Sequence, residues 1–313
     1  MTIFIITHQA GFEVDPVIDR LKSLKLPFVR FNQDDGDNIS KVGFLRSDSK
    51  ENIFWTSDNK SVSLTNVGCA WFQQPPPFTG QPDNFEQAVQ RNNLIAFLEA
   101  TFDFLPVKWL NRVANARRAA NKVLQLHLAP SVGLAVPNTC ISNDPLTVRS
   151  FCSKGPSIVK NLNSSWIAQE NDAVVSSTKF VQDDYIKDDQ AIIFCPLIYQ
   201  QFIERRYDYR VVILGDATFV SRCDSTLGDP ADVRVDNKTG ANFYRDKIPP
   251  EYIEKLKNLM EILGVDYCSA DFIEDRGGKI FFLEMNICGA WWWMDELHGG
   301  EILDSFVKYL TTR

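Results

Sequence analysis

Apolar and polar residues alternate along the chain in blocks that predict strands and helices in turn. Residues 2–8 predict a strand, residues 13–25 a helix and the segment PFVRFN a second strand. Such a strand–helix–strand order implies a parallel sheet. Residues 42–72 predict short antiparallel strands, and residues 82–104 have the apolar spacing of a long helix. These elements place the chain in the α/β class.

The pattern changes after a short strand at VKWLN, where a helix is predicted near 112–128. We therefore predict a domain boundary around residues 112–118, after an N-terminal α/β domain. Further strands are predicted at 157–162, 178–182, 191–203, 208–222, 266–274 and 279–286, and further helices near 144–153, 250–263 and 300–311.

The composition is that of a globular protein, because 44% of the 313 residues are hydrophobic and 23% are charged. A net charge of −7 argues against nucleic acid as the main partner, since phosphate binding requires a basic surface. The cysteines include no CxxC pair, which favours reduced core thiols. The start, MTIFIITHQAG, has no basic region before its short apolar run, and no other apolar run is long enough to cross a bilayer. We therefore predict a cytoplasmic protein with no membrane partner.

Several familiar catalytic signatures do not occur in the sequence. The chain has no GxxxxGK[ST] phosphate loop, no GxGxxG fingerprint, no GxSxG elbow and no HExxH motif. Its histidines, His8, His127 and His298, are far apart in sequence. P-loop hydrolysis, hydride transfer, serine hydrolysis and zinc proteolysis are therefore disfavoured.

The segment KIFFLEMN places an acid, Glu284, and an amide, Asn286, inside a strongly apolar strand. It follows SADFIEDRGG, and together the two segments predict a hairpin that brings Asp271 near Glu284. Glu284 and Asn286 are two residues apart, so they share one face of the strand. Carboxylate and amide oxygens are the hard ligands that Mg²⁺ prefers. The alternative is a solvated strand face without a ligand.

Two lysines have the positions that a nucleotide site needs. Lys160 ends the short apolar strand PSIVK, and Lys122 opens an apolar helix face. Either ammonium suits phosphate oxygens, and the alternative for each lysine, which is the commoner one for a lysine taken singly, is a solvated surface charge. The strand PLIYQQFI supplies a hinge whose backbone can pair with an adenine edge, and Asp208 and Arg210 follow it on one strand face.

The order of these motifs resembles the ATP-grasp ligases over roughly residues 110–313, most specifically at the ADFIED…KIFFLEMN end. Within that superfamily the segment LEMNICGAWWWMDELHGGEI is similar to the microviridin-type ligases, also called graspetide synthetases. That branch usually has Gly-Gln-Trp where this chain has Gly289-Ala290-Trp291. The resemblance implies an ATP-grasp fold with an N-terminal βαβ pre-ATP-grasp domain over 1–114. A central ATP-grasp subdomain over 115–195 and a C-terminal ATP-grasp subdomain with the metal site over 196–313 would follow it.

The resemblance also implies a role for each candidate residue, with ATP and Mg²⁺ as cofactors. The residues that would hold the nucleotide are Lys122 and Lys160 at the phosphates, Gln201, Phe202 and Ile203 at the adenine, and Asp208 at the ribose. The residues that would bind Mg²⁺ are Asp271, Glu284 and Asn286. Arg210 and Arg222 would contact the transferred phosphoryl group, although a structural salt bridge is the alternative for Arg222.

The function implied is ligation of side chains in a ribosomally synthesised precursor peptide, consisting of a leader and a core. Asp or Glu carboxylates would be activated as acyl phosphates and then joined as ω-esters or ω-amides, by an enzyme expected to be a homodimer. The Arg117–Arg118 pair is a predicted leader contact, segments 161–178 and 224–249 are predicted lids, and at least one residue of Trp291–Trp293 is predicted to line the acceptor site. The rival functions are a carboxylate–amine ligase for small molecules or a protein tail, and a nucleotide-binding regulatory module without catalysis.

Overall fold

The computed structural model describes the chain except for residues 1, 12, 33–38, 49, 58–59, 74–83, 164–165, 170–171, 176–177, 225–242 and 313. Most of the predicted lid 224–249 therefore lies outside the described residues. The N-terminal elements are β1 (Thr2–Thr7), α1 (Asp15–Ser23), β2 (Phe28–Asn32), β3 (Ile39–Ser47), β4 (Lys50–Ser57), β5 (Lys60–Ser63), β6 (Val67–Phe72), α2 (Phe85–Phe104) and β7 (Lys108–Leu110), with a 3₁₀ turn at Leu64–Asn66.

A parallel sheet with the order β2-β1-β6-β7 forms the first layer, which confirms the predicted strand–helix–strand opening. Helix α1 buries Val17, Ile18 and Leu21. Strands β3, β4 and β5 form a separate antiparallel sheet, as predicted for 42–72, but the prediction is wrong for β6. The continuous apolar run VGCAWF is typical of a parallel strand that is covered on both faces.

The central part contains a second, four-stranded sheet with the order β12-β9-β13-β8. The helix predicted near 112–128 is two helices, because Asn121 caps the second one by accepting a hydrogen bond from the Leu124 N–H. The central elements are α3 (Val113–Ala119), α4 (Lys122–Leu128), a 3₁₀ turn (Ala129–Val132), β8 (Thr139–Ser142), α5 (Pro145–Cys152), β9 (Ser157–Lys160), β10 (Trp166–Gln169), β11 (Asp172–Val175), β12 (Lys179–Phe180), α6 (Asp183–Lys187), α7 (Asp189–Ile193) and β13 (Leu197–Gln201).

The predicted strand 191–203 is correct only in its second half. Asp188 accepts hydrogen bonds from the N–H groups of Gln190 and Ala191, so the chain enters helix α7 there. Pro196 then separates this helix from β13, because proline cannot continue a helix.

The C-terminal part is an antiparallel sheet with the order β16-β15-β14-β17-β18, flanked by helices. The predicted strand 208–222 is a hairpin, because the chain reverses at Gly215, whose φ of 54° is readily adopted by glycine. The C-terminal elements are β14 (Arg205–Leu214), β15 (Ala217–Asp224), β16 (Tyr244–Arg245), α8 (Pro250–Leu263), β17 (Tyr267–Asp275), β18 (Ile280–Asn286), α9 (Trp292–Leu297) and α10 (Glu301–Thr311).

The two faces of this C-terminal sheet pack against different elements. One face contacts α8, where the rings of Phe272 and Tyr252 are 6.4 Å apart. At one end of the opposite face, the Tyr267 ring lies 5.1 Å from Phe306 of α10, and Trp71 of β6 lies 5.2 Å from the same ring. The parallel sheet and the C-terminal sheet therefore share a core, and the other end of that face carries the polar residues Arg210, Asp271 and Glu284. No helix in the part of the chain that the structure describes is both long and apolar enough to span a membrane.

Candidate nucleotide and metal site

The predicted metal ligands converge on one face of the C-terminal sheet. Asp271 of β17 lies directly opposite Glu284 of β18, and Asn286 lies opposite Ser269. Arg210 of β14 lies opposite Asp271 on its other side. Since opposed residues of antiparallel strands share a face and positions i and i+2 do so along a strand, all these side chains line the same surface.

A β-bulge lies next to this group. Asp271 pairs with Glu284 while Phe272 pairs with Phe282, which leaves Leu283 as the extra residue of β18. Bulges bend a strand and redirect its side chains, often beside active sites. Here the bulge lies immediately before Glu284, so it sets the direction in which the carboxylate points.

An apolar floor lies on the same sheet face, next to the carboxylates. Ile203, Ile273 and Phe281 form a buried cluster, and Ala135 and Leu283 pack against it. A flat apolar surface of this kind suits one face of an adenine ring. The apolar floor suits the base of a nucleotide and the charged group suits its phosphates, so together they have both features that a nucleotide site requires.

Glu284 is held in a network of charge. Lys122 Nζ lies 2.9 Å from Glu284 Oε2, and both side chains are less than one-fifth exposed. Asn286 Nδ2 donates to Glu284 Oε1 at 3.2 Å. Burial alone would raise the pKa of Glu284, but the charges of Lys122 and Lys160 and these hydrogen bonds hold it well below its usual range. Glu284 is therefore an anion next to both predicted phosphate-binding lysines.

Gln125, which the sequence analysis missed, attaches this strand to helix α4. Its Nε2 donates to the carbonyls of Met285 and Ala119 at 2.7 Å, and its Oε1 accepts from the Met285 N–H at 2.8 Å. Gln125 is almost fully buried. Met285 lies between Glu284 and Asn286, so this amide positions the two predicted ligands relative to Lys122. The signal in the sequence is an amide within an apolar helix face, three residues after the lysine.

Arg210 pairs with the second predicted carboxylate. Its Nε lies 3.2 Å from Asp271 Oδ1, and its Nη1 donates to Ser269 Oγ at 3.1 Å. Asp208, two residues earlier on the same strand face, is buried and accepts from Arg205 Nη1 at 2.8 Å. Each predicted anion of the site is thus matched by a cation in the structure.

The predicted adenine hinge has most of its backbone donors in use. The Gln201 N–H donates to Asn138 O and the Phe202 N–H to Pro156 O, each at 2.9 Å. Among the described backbone hydrogen bonds, none uses the Ile203 N–H. Ile203 also belongs to the apolar floor, and its contact with an adenine edge stays a prediction.

Arg222 lies on the opposite face of the sheet from Arg210. It is paired with Tyr209 across the hairpin, its guanidinium lies 4.0 Å from the centre of the Tyr207 ring, and its Nε lies 2.8 Å from Asp246 Oδ2. The structure thus shows the salt bridge that was the alternative for this residue. A role for Arg222 at the phosphoryl group stays a prediction.

The three consecutive tryptophans have three different environments. Trp291 is fully buried and stacks on Phe306 with ring centres 4.6 Å apart. Trp293 contacts Phe243 at 4.9 Å, whereas Trp292 is half exposed. Trp291 is therefore a core residue, and a role in the acceptor site stays a prediction for the other two.

The donor set fits a Mg²⁺ ion that also binds nucleotide phosphates. Within the described residues, no group of three or more His, Cys, Asp or Glu side chains converges on one point. Asp271 and Glu284 provide two carboxylates and Asn286 an amide oxygen, which is too few ligands for a protein-only cage. Mg²⁺ is typically held in this way, by one or two carboxylates together with phosphate and water oxygens.

Solved structures with the same fold cover nearly the whole chain, although the sequence matches no protein-family model and no curated protein. A RiPP-associated ATP-grasp ligase of Chryseobacterium gregarium, solved with ADP and a leader and core peptide, is 22% identical, with 99% of this chain and 96% of that chain covered and a TM-score of 0.85. Macrocyclase MdnC of Microcystis aeruginosa, bound to precursor peptide MdnA, is 21% identical, with 99% of each chain covered and a TM-score of 0.84.

A third structure extends the likeness. ATP-grasp ligase PsnB, solved with a phosphomimetic variant of its minimal precursor, Mg and ADP, is 17% identical, with 98% of each chain covered and a TM-score of 0.71. These likenesses cover residues 110–313, where the motifs resemble the ATP-grasp ligases, and extend to the N-terminal parallel sheet as well. The chain therefore has the fold of the ATP-grasp ligases.

Proposed function

We propose that the protein is an ATP-dependent ligase that joins side chains within a ribosomally synthesised precursor peptide. The observation that carries the proposal is a group of charged side chains beside an apolar floor, at the polar end of one face of the C-terminal sheet. These side chains are Lys122, Glu284, Asp271 and Arg210. The full-length similarity to ligases solved with precursor peptides supports a peptide substrate over a small molecule.

The nucleotide would lie across the floor with its phosphates at the lysines. Ile203 would offer its backbone N–H to the adenine, beside Gln201 and Phe202, and Asp208 would accept from the ribose hydroxyls. Lys122 and Lys160 would bind phosphate oxygens as point charges. In the structure Lys122 neutralises Glu284, so phosphates that attract Lys122 would release this carboxylate for another cation.

Asp271, Glu284 and Asn286 would hold Mg²⁺ through oxygen atoms. A bound Mg²⁺ ion supplies positive charge that stabilises the transferred phosphoryl group. The residues of this chain contribute the other positive charge, and Arg210 is the guanidinium on the same sheet face as the ligands. Arg210 is therefore proposed to orient the carboxylate that receives the phosphoryl group.

The chemistry follows from the low reactivity of a carboxylate. Transfer of the γ-phosphoryl group of ATP to an Asp or Glu side chain gives an acyl phosphate and ADP. A hydroxyl or amine of the same peptide then attacks the carbonyl carbon, and the tetrahedral intermediate collapses with loss of phosphate, which leaves an ester or an amide. Holding the two side chains in place supplies much of the rate.

Several finer parts of the proposal concern the peptide and the assembly. An acidic leader is proposed to contact the N-terminal half, where Arg117 pairs with Glu99 at 2.9 Å and Arg118 donates to Ile262 O at 3.0 Å. The β10–β11 hairpin lies within the segment 161–178 that is proposed as a lid. A homodimer and a cytoplasmic location are proposed as well.

Intact-mass measurement tests the proposal. The purified protein is incubated with ATP, Mg²⁺ and the short precursor peptide encoded beside it, and each ring is expected to remove one water from the peptide. Mild base restores the mass if the links are esters and leaves it unchanged if they are amides. Matched reactions contain the same peptide without its leader, or a free amino acid or small diacid.

Two results would contradict the proposal. ADP formation driven by the small acid, with no water loss from the peptide, would show the carboxylate–amine ligase instead. Binding of ATP without phosphate release under any of these conditions would show the regulatory module.

A further inference from the structure

A buried acid and a buried amide face each other at the carboxyl end of the parallel sheet. Glu13 lies in the loop after β1, and Gln73 follows directly after β6. In the order β2-β1-β6-β7, the chain continues from β1 to β2 on one side of the sheet and from β6 to β7 on the other side. Ligands of open α/β sheets bind in the crevice at such a switch point, beyond the carboxyl ends of the strands.

The contacts of the pair leave one hydrogen-bonding atom unused. Gln73 Nε2 donates to Glu13 Oε2 at 2.7 Å and to Cys288 O at 3.2 Å. Because both partners are acceptors, the orientation of the amide is determined. Gln73 is 1% exposed and Glu13 6% exposed, and Gln73 Oε1 has no hydrogen-bond partner among the described residues. Leaving a buried oxygen without a partner is costly, so this atom is placed to accept a donor from a ligand.

The pair is adjacent to the reacting end of the proposed site. Cys288 follows the predicted ligand Asn286 by two residues. The next residue, Gly289, packs so closely on Ser269 that a Cβ there would lie 2.5 Å from Ser269 Cβ. Ser269 in turn accepts from Arg210. Burial raises the pKa of Glu13, and the hydrogen bond from Gln73 and the charge of Arg210 lower it without cancelling that rise.

We propose that Glu13 and Gln73 form the acceptor subsite, which binds a Ser or Thr hydroxyl of the peptide. This inference rests on the proposed ligase function and specifies its second half-reaction. The hydroxyl donates to Glu13, and Gln73 holds that carboxylate in place and can accept from the acceptor residue through Oε1. A neutral hydroxyl fits this subsite better than a lysine ammonium, because the guanidinium charge of Arg210 acts on Glu13 and would repel a second cation there.

The proposed step transfers one proton. The hydroxyl oxygen attacks the carbonyl carbon of the acyl phosphate and forms the ester C–O bond, while its proton moves to a carboxylate oxygen of Glu13. The C–O bond to the phosphate breaks, and phosphate leaves with the electron pair. Glu13 then returns the proton to solvent or phosphate. A carboxylate with a raised pKa suits this task, because a general base works best near the operating pH.

A trapping experiment separates the two half-reactions. Hydroxylamine added to the reaction captures the acyl phosphate as a hydroxamate, so the ratio of ring product to hydroxamate reports the acceptor step alone. In Glu13→Gln this ratio is expected to fall by about 100-fold, which is the smaller end of the range for a general base. Gln73→Met removes the amide at similar volume and should lower the ratio by about tenfold, as for one or two lost hydrogen bonds. Glu254→Gln, on an exposed position of α8, is the matched control and should leave the ratio unchanged.

The outcomes distinguish this inference from the proposed function. An unchanged ratio in Glu13→Gln, or in Gln73→Met if the first variant does not fold, overturns the acceptor subsite while the ligase function stands. Equal ring formation with a core peptide that carries Lys in place of Ser or Thr overturns the hydroxyl assignment. A wild-type protein that forms neither hydroxamate nor rings overturns the proposed function and the subsite with it.

Discussion

Gln125 joins helix α4 to strand β18 through three hydrogen bonds, here called the helix–strand clamp. Replacing Gln125 by leucine tests whether this clamp positions the predicted metal ligands. The change keeps a similar volume but removes three hydrogen bonds, to Ala119 O, Met285 O and the Met285 N–H. A net contribution of about 1 kcal/mol for each bond, partly offset by the burial of a more apolar side chain, gives a loss of about 2–3 kcal/mol in the free energy of unfolding. Urea unfolding should show a lower midpoint with an unchanged slope.

The same variant should also lose activity under conditions where it stays folded. Without the clamp, Glu284 and Asn286 are no longer held relative to Lys122, so peptide-dependent ADP formation should fall by about 10-fold or more, since small displacements of this kind are costly to catalysis. Gln90→Leu, an identical change on the exposed side of α2, is the control and should alter neither measurement. A loss of stability under about 1 kcal/mol together with wild-type turnover would refute the positioning role of Gln125.

Three further predictions concern the charges of the site. Glu284→Gln keeps the shape but removes an anionic ligand, so peptide-dependent phosphate release should be abolished while circular dichroism stays unchanged, and near-normal release would rule out the metal assignment. Lys160→Ala should raise the dissociation constant for a non-hydrolysable ATP analogue more than that for the peptide in calorimetry, and equal affinities would place this lysine outside the phosphate site. Folding lowers the pKa of Glu284, so its ion pair with Lys122 stabilises the protein at pH values above the unfolded pKa of about 4.3. This stabilisation is lost as the pH falls below that value. Lys122→Met should therefore reduce the free energy of unfolding at pH 7 but by much less near pH 3. A constant difference across this pH range would show that the pair contributes nothing through charge.

The residues that sequence reasoning placed correctly depend on short-range geometry. Asp271, Glu284 and Asn286 lie on one hairpin, where the spacing of i and i+2 and a tight turn determine the common face. The order of apolar segments also predicted the parallel opening, and helical apolar spacing predicted the positions of helices α2, α8 and α10. The fold class followed from these local patterns together with the order of the motifs.

Arg222 shows why the rest could not be predicted. In a single strand over 208–222, Arg210 and Arg222 would be an even number of residues apart and would share a face. The turn at Gly215 instead pairs Arg210 with Ser221, which moves Arg222 to the other side of the sheet. The location of the turn, and not the residue types, decides this outcome.

Gln125 and the Glu13–Gln73 pair were missed for a different reason. Gln125 contacts a strand 160 positions later in the chain, and Glu13 meets Gln73 across 60 positions. A single sequence can show a polar residue within an apolar segment, as at Gln125, but it does not show which distant residue that side chain contacts. These contacts can be identified only in the folded structure, where the sheets lie next to each other.

The outer edge of β18 has a consequence for how a peptide can approach the site. A strand at the border of a sheet ordinarily offers its N–H and C=O groups to any extended chain, and many peptide-binding proteins use such an edge. Here the Phe282 N–H is taken by Ala135 O and both backbone groups of Met285 are taken by Gln125. A substrate therefore cannot extend this sheet beside Glu284, and at that position the strand edge does not bind the backbone of the substrate. Under the proposed function, core peptides of different sequence would therefore present one side chain there without adopting a common β conformation.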